Sequence, residues 1–228
     1  MNTIIYKTIN YMKEKQLGEV TGHDWFHTKR VYEMALHLAK DQACDLLVVS
    51  LAALLHDIED WKFNGGDESA GPKAATAFMS QIGVEKAIQD HVVEIIYDLS
   101  YKGTEKRSVM KTVEGMIVQD ADRLDALGAI GIARTFAFGA TYGNEIFNPE
   151  ILPRIEIDAE AYKDKSVKST TLNHFYEKLF NLVSLMNTEK AKVIARKRHE
   201  YMLDYVRILL DETGESDSFH MDLLDQFL

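Results

Sequence analysis

A chain of 228 residues, 46% hydrophobic and with only three prolines, is long enough to fill one core and fits a compact soluble domain rather than a fibrous or disordered one. Its formal charge of −10 excludes a general nucleic-acid binder, whose affinity for a polyphosphate backbone rests on broad basic surface, and leaves room for a small anionic ligand held by a few local cations. The lone Cys44 can form no internal disulfide, no charged-then-apolar leader opens the chain, and the longest apolar run, Leu46 to Leu55, has about half the length of a membrane span, so a single cytoplasmic domain with no membrane partner is expected.

Apolar residues recur with a helical period nearly throughout, which predicts an all-α fold, a single-domain helical bundle over residues 1–228. Between Asp24 and Lys40, His27, Val31, Met34/Ala35 and Leu38 share one face, and Thr21 or Asp24 would cap the start. A second helix, from about Asp45 to His56, is apolar almost all round, as a central element would be. Asp57 to Gly71 carries Asn64-Gly65-Gly66-Asp67 and reads as a loop, with Pro72 in the first turn of the next helix. Helices are expected over Pro72–Gln81, Val84–Leu99, Arg107–Leu127 and part of Ala129–Phe138, completing a motif-bearing core of about residues 20–140. An irregular excursion covers about 141–169, and helices at Thr171–Met186 and Thr188–Asp211 with a short amphipathic tail from Met221 make up the C-terminal part, about 171–228.

Four polar positions interrupt these apolar patterns: His27, the doublet His56-Asp57, and an aspartate in the run Asp120-Ala121-Asp122-Arg123-Leu124-Asp125. Taken alone, an inward histidine is more often a core imidazole bonded to backbone than a ligand. An ionisable doublet at the end of Leu-Ala-Ala-Leu-Leu is costly unless something positive compensates the carboxylate. Three aspartates within two turns repel one another unless a cation sits among them, and Arg123 could serve in place of a metal. Only the combination, two imidazoles and two carboxylates, raises the metal reading above these alternatives. Helix geometry does not choose between Asp120 and Asp122, and His23, four residues before His27, is its rival.

The order His27, His56-Asp57, Asp122 resembles the HD-domain superfamily of metal-dependent phosphohydrolases. Longer strings resemble its small single-domain bacterial subgroup: Gly-His-Asp-Trp-Phe-His at 22–27, Leu-Leu-His-Asp-Ile-Glu-Asp at 54–60, Leu-Ser-Tyr-Lys-Gly at 99–103, Asp-Ala-Asp-Arg-Leu-Asp-Ala-Leu-Gly-Ala at 120–129 and His-Phe-Tyr-Glu-Lys-Leu at 174–179. Carried over by position, the resemblance implies His27, His56, Asp57 and Asp122 as metal ligands, with Asp120 and Asp125 as supporting candidates. Two nitrogens and two carboxylate oxygens without a thiolate suit one divalent ion, Mn²⁺, Ni²⁺, Co²⁺, Fe²⁺ or Zn²⁺ rather than Mg²⁺. His91, the one further histidine between the doublet and Asp122, gives little basis for a second ion.

The chemistry so implied is attack of activated water on phosphorus. Asp60, and after it Glu59, stand where a carboxylate would move the proton, and Lys62, Lys102, Arg123 and Arg134 are the cations nearest the motifs for a phosphate tail. The expected substrate is a small phosphorylated molecule, first a (deoxy)nucleoside triphosphate cleaved to pyrophosphate. A nucleoside 5′-monophosphatase, a guanosine polyphosphate hydrolase and a metal- or nucleotide-binding sensor without turnover are the alternatives, and a homodimer is compatible with the chain.

Overall fold

The computed structural model describes residues 3–19, 22–59, 69–99, 109–155 and 169–228. Among the described residues every regular element is helical and there is no strand, as the hydrophobic period implies. The chain divides into two compact units, the first holding described residues 3–99 and 109–122, the second those from 123 onward.

The first unit is arranged around a helix that presents no polar face. α3 (Leu46–Leu55) buries every residue from Val48 to Leu55 and packs against α1 (Thr3–Lys15), α2 (Trp25–Ala39) and α5 (Lys86–Leu99), while α4 (Ala70–Gln81) lies on α5. Each large aliphatic side chain buried this way contributes about 1.5–3 kcal/mol, so α3 supplies a major share of the hydrophobic drive. Its start is fixed by Asp45, whose carboxylate accepts from the backbone N–H of Leu47 at 2.8 Å and of Val48 at 3.3 Å. α2 is capped by Asp24, which accepts from His27 N at 2.8 Å; Thr21, the other candidate cap, lies outside the described residues. α6 (Val113–Asp125) begins six residues later than the periodicity suggests, because Thr112 Oγ1 accepts from Gly115 N at 3.2 Å and caps it there. The N-terminal helix α1 adds to the elements predicted from residue 24 onward, with Ile5, Thr8 and Met12 facing inward at helical spacing.

In the second unit α7 (Gly128–Thr141) packs along α8 (Glu189–Glu212). The turn from α6 into α7 needs glycine twice. Gly128 has φ +76°, and a Cβ on Gly131 would stand 2.2 Å from the Ala126 carbonyl oxygen. Residues 142–155 carry no helix, and residues 156–168 of the excursion lie outside the described residues. Beyond it the chain forms a π-helical turn at Phe175–Leu179 that tightens into 3₁₀ turns at Phe180–Leu185, in place of the α-helix expected there. Phe175, Tyr176 and Phe180 are buried; Phe180 meets His199 edge-on and Phe227 in a tilted contact. Thr188 caps α8 through Ala191 N, and Ser218 caps α9 (Phe219–Leu224) through Met221 N.

Candidate metal centre

The site lies within the first unit, on α2, the end of α3 and α6. α2 turns the buried His27 inward; α3 ends at His56, so the doublet emerges where the apolar helix stops. His56 Nδ1–H donates to the Ala53 carbonyl at 2.9 Å, which leaves its Nε2 pointing at His27 Nε2, 3.1 Å away. Asp57 Oδ2 stands 3.3 Å from both of these nitrogens, and Asp122 Oδ1 lies 3.6 Å from His27 Nε2 and 3.7 Å from His56 Nε2. The four side chains singled out by the doublet pattern therefore meet at one point. His27, His56 and Asp122 form one group able to hold a metal ion; His23, His27 and Asp57 form an overlapping second one.

The carboxylates around this point favour a positive charge there. Burial opposes a proton on His56, but the Asp57 carboxylate, its hydrogen bond and Asp122 outweigh that and push the imidazole from 6.5 up to about 9. Burial likewise opposes the Asp57 anion and is overcome by His56, His23 and His27, which hold its carboxyl well below the usual range. With His56 Nδ1–H committed to Ala53, its Nε2 faces His27 Nε2 across 3.1 Å, and what lies between them is the N–H of His27, a proton on His56 or a metal ion. The donor set of imidazole nitrogen and carboxylate oxygen fits a divalent transition ion in that role.

Around this centre His23 Nδ1–H donates to Asp57 Oδ2 at 2.7 Å, so the rival of His27 is brought to the same site through the aspartate. Asp120, which the helix pattern left level with Asp122, is fully buried and belongs to neither ligand group, whereas the Asp122 side chain keeps 36% of its exposure. Glu59 is held at 2.6 Å by Lys15 of α1, a cation 44 residues away in the chain and outside the motif segments. Asp60, Lys62 and Lys102 lie outside the described residues. Arg123 donates to the Leu185 carbonyl, Arg134 donates to Asp125 at 2.7 Å, and both of those partners belong to the second unit. His91 bonds Thr112 Oγ1 at 3.0 Å, away from either ligand group. No described helix is long and apolar enough to cross a membrane.

A helical unit with a His-Asp doublet at the end of its central helix, facing a histidine and a second aspartate, is the HD arrangement. The chain belongs to the HD domain family, whose profile matches residues 25–127. It is 35% identical over 199 residues to the uncharacterized protein YpgQ of Bacillus subtilis, an alignment covering 84% of each chain. Among solved structures, a protein of Lactobacillus plantarum superimposes with a TM-score of 0.83 at 33% identity, covering 94% of this chain and 98% of that one. An HD-superfamily hydrolase from Bacillus thuringiensis gives 0.70 at 39% identity over 92% and 96%. YpgQ itself has been solved in complex with ADP, and that structure gives 0.70 at 32% identity over 91% and 97%.

Proposed function

We propose that this chain is a metal-dependent phosphohydrolase acting on nucleotides, with (deoxy)nucleoside triphosphates cleaved to pyrophosphate as the favoured activity. The observation that carries the reading is the approach of His27 Nε2 and His56 Nε2 to 3.1 Å with carboxylate oxygens of Asp57 and Asp122 beside both. Membership in a family with hydrolase relatives supports hydrolysis, and the ADP complex of YpgQ supports a nucleotide as ligand.

In this proposal His27, His56, Asp57 and Asp122 hold one divalent ion. Such an ion lowers the pKa of water from near 16 towards about 7 and draws charge from a phosphoryl oxygen. The protein's own groups do the rest. The Ala53 carbonyl fixes the His56 tautomer, and His23 holds Asp57 in place, as outer partners of metal ligands do. Asp60, three residues past Asp57, takes the proton released as water attacks phosphorus, and Lys62 and Lys102 receive the phosphate tail. Glu59 and Lys15, paired at 2.6 Å and each about one-third exposed, form a surface couple whose ammonium can turn to an incoming phosphate.

The test is turnover of nucleoside mono-, di- and triphosphates and guanosine polyphosphates by chelator-stripped protein with and without Mn²⁺, Ni²⁺, Co²⁺ or Mg²⁺, resolving pyrophosphate from orthophosphate. Metal-dependent pyrophosphate release that Asp57→Ala abolishes is the expected result. Orthophosphate from monophosphates would move the assignment to a 5′-monophosphatase. Binding without turnover by metal-loaded protein would overturn the enzymatic reading.

A further inference from the structure

We infer that the outward face of α8 is a contact between two copies of this chain, paired antiparallel. α8 buries Ala191, Ala195, Met202 and Val206 on one side. On the opposite side Val193, Lys197, Tyr201, Asp204 and Ile208 follow one another at spacings of three and four residues, the period of a helix that meets another helix along its length. The three apolar members are 65%, 58% and 58% exposed and lie along one side of the helix rather than scattered around it.

The occupant is indicated by the order of the residues along this stripe. Val193 stands as far before the midpoint between Glu200 and Tyr201 as Ile208 stands after it, and Lys197 is related to Asp204 in the same way. A two-fold axis through that midpoint would bring each Val193 onto Ile208 of the other copy and each Lys197 onto its Asp204, every contact occurring twice. Asp204 now lies 3.4 Å from Arg207 in an exposed pair of little strength, which gives way readily to a better partner.

The ends of the helix carry an independent sign. Lys190 and Lys192 stand in the first turn, Asp211 and Glu212 in the last; apart from Glu189 this is the reverse of what the helix dipole favours. A lone helix loses stability by that arrangement. In an antiparallel pair each basic end lies over the acidic end of the other copy, and the unfavourable local order becomes complementarity between chains. At 24 residues, about 36 Å, the helix is long enough to engage both ends at once.

Sedimentation velocity across a concentration series, at low and high salt, tests this. The chain is expected to pass from monomer to dimer as concentration rises, with added salt shifting it back. Lys197→Glu, which sets glutamate against Asp204 twice, and Val193→Glu should each leave only the monomer peak. The double variant Lys197→Glu/Asp204→Lys should restore the dimer. All these positions are exposed, so circular dichroism should match the parent. A parent chain that is monomeric at every concentration would overturn the inference. So would a dimer untouched by Lys197→Glu and Val193→Glu, or a double variant that stays monomeric while folded.

Discussion

In the second unit the buried Glu177 is clasped by Arg154, whose Nε donates to Oε1 at 3.1 Å and whose Nη2 donates to Oε2 at 3.2 Å, with the Arg154 backbone N–H and Ser169 adding further donors to Oε1. Asp125 there is held by Arg134. In the first unit Asp57 is faced by His23, His27 and His56, side chains whose charge depends on a proton that can be exchanged for a metal. Both units bury carboxylates, and the nature of the cation decides the use. A guanidinium is permanent and makes a strut; imidazoles are conditional and make a centre that can accept an ion.

The largest effect that separates the two is expected from Asp57→Ala. It should lower metal affinity more than about 100-fold and abolish turnover, read by calorimetric titration with Mn²⁺ and by product release, while the fold survives. Arg154→Ala should act in the opposite sense. It leaves Glu177 buried without its partner and should cost about 3 kcal/mol in urea unfolding, with metal affinity unchanged. An Arg154 variant that lost metal, or an Asp57 variant that unfolded, would erase the contrast.

The conditional charge in the first unit should also show in the pH dependence of the metal-free chain. His56 is pushed up from 6.5 to about 9, so its contribution is complete below pH 6.5 and is lost as pH rises through about 9. Asp57 is shifted downward from 3.8, so the same pair fails on the acid side only as pH falls below that value. Thermal unfolding of stripped protein should therefore lose up to about 3 kcal/mol between pH 6.5 and 9.5. Metal-loaded protein should not follow this decline, since the ion takes the place of the proton. A smaller effect is expected from His23→Ala, which removes the 2.7 Å bond to Asp57 and should weaken metal binding about 10- to 100-fold while leaving binding measurable.

What was legible in the sequence follows the same division. The His-Asp doublet stands out because it ends a helix whose only other buried polar side chain is Ser50, and His27 because it breaks an apolar face; both are local violations visible in one dimension. Asp122 and Asp120 could not be separated by helical period, since two residues on one helix differ only in which neighbours the fold brings to them. His23 was visible only as a rival, because its bond to Asp57 spans 34 residues. The Arg154–Glu177 clasp and the bond from Arg123 to the Leu185 carbonyl were out of reach for the same reason. The inward stripe of α1 is faint because it includes Thr8 and spans only about two turns, from Ile5 to Met12. The π-helical turn shares its composition with an α-helix, and only its backbone bonding, with the Phe180 N–H reaching the Phe175 carbonyl five residues back, tells it apart.

The central claim is that four side chains from three helices make one metal centre. Anomalous diffraction from a crystal of the protein grown with Mn²⁺ tests it directly. The account predicts a single strong peak within about 2.0–2.3 Å of His27 Nε2, His56 Nε2 and carboxylate oxygens of Asp57 and Asp122. A peak coordinated by His23 in place of His56, or no peak at this site in protein that retains stoichiometric metal, would contradict it.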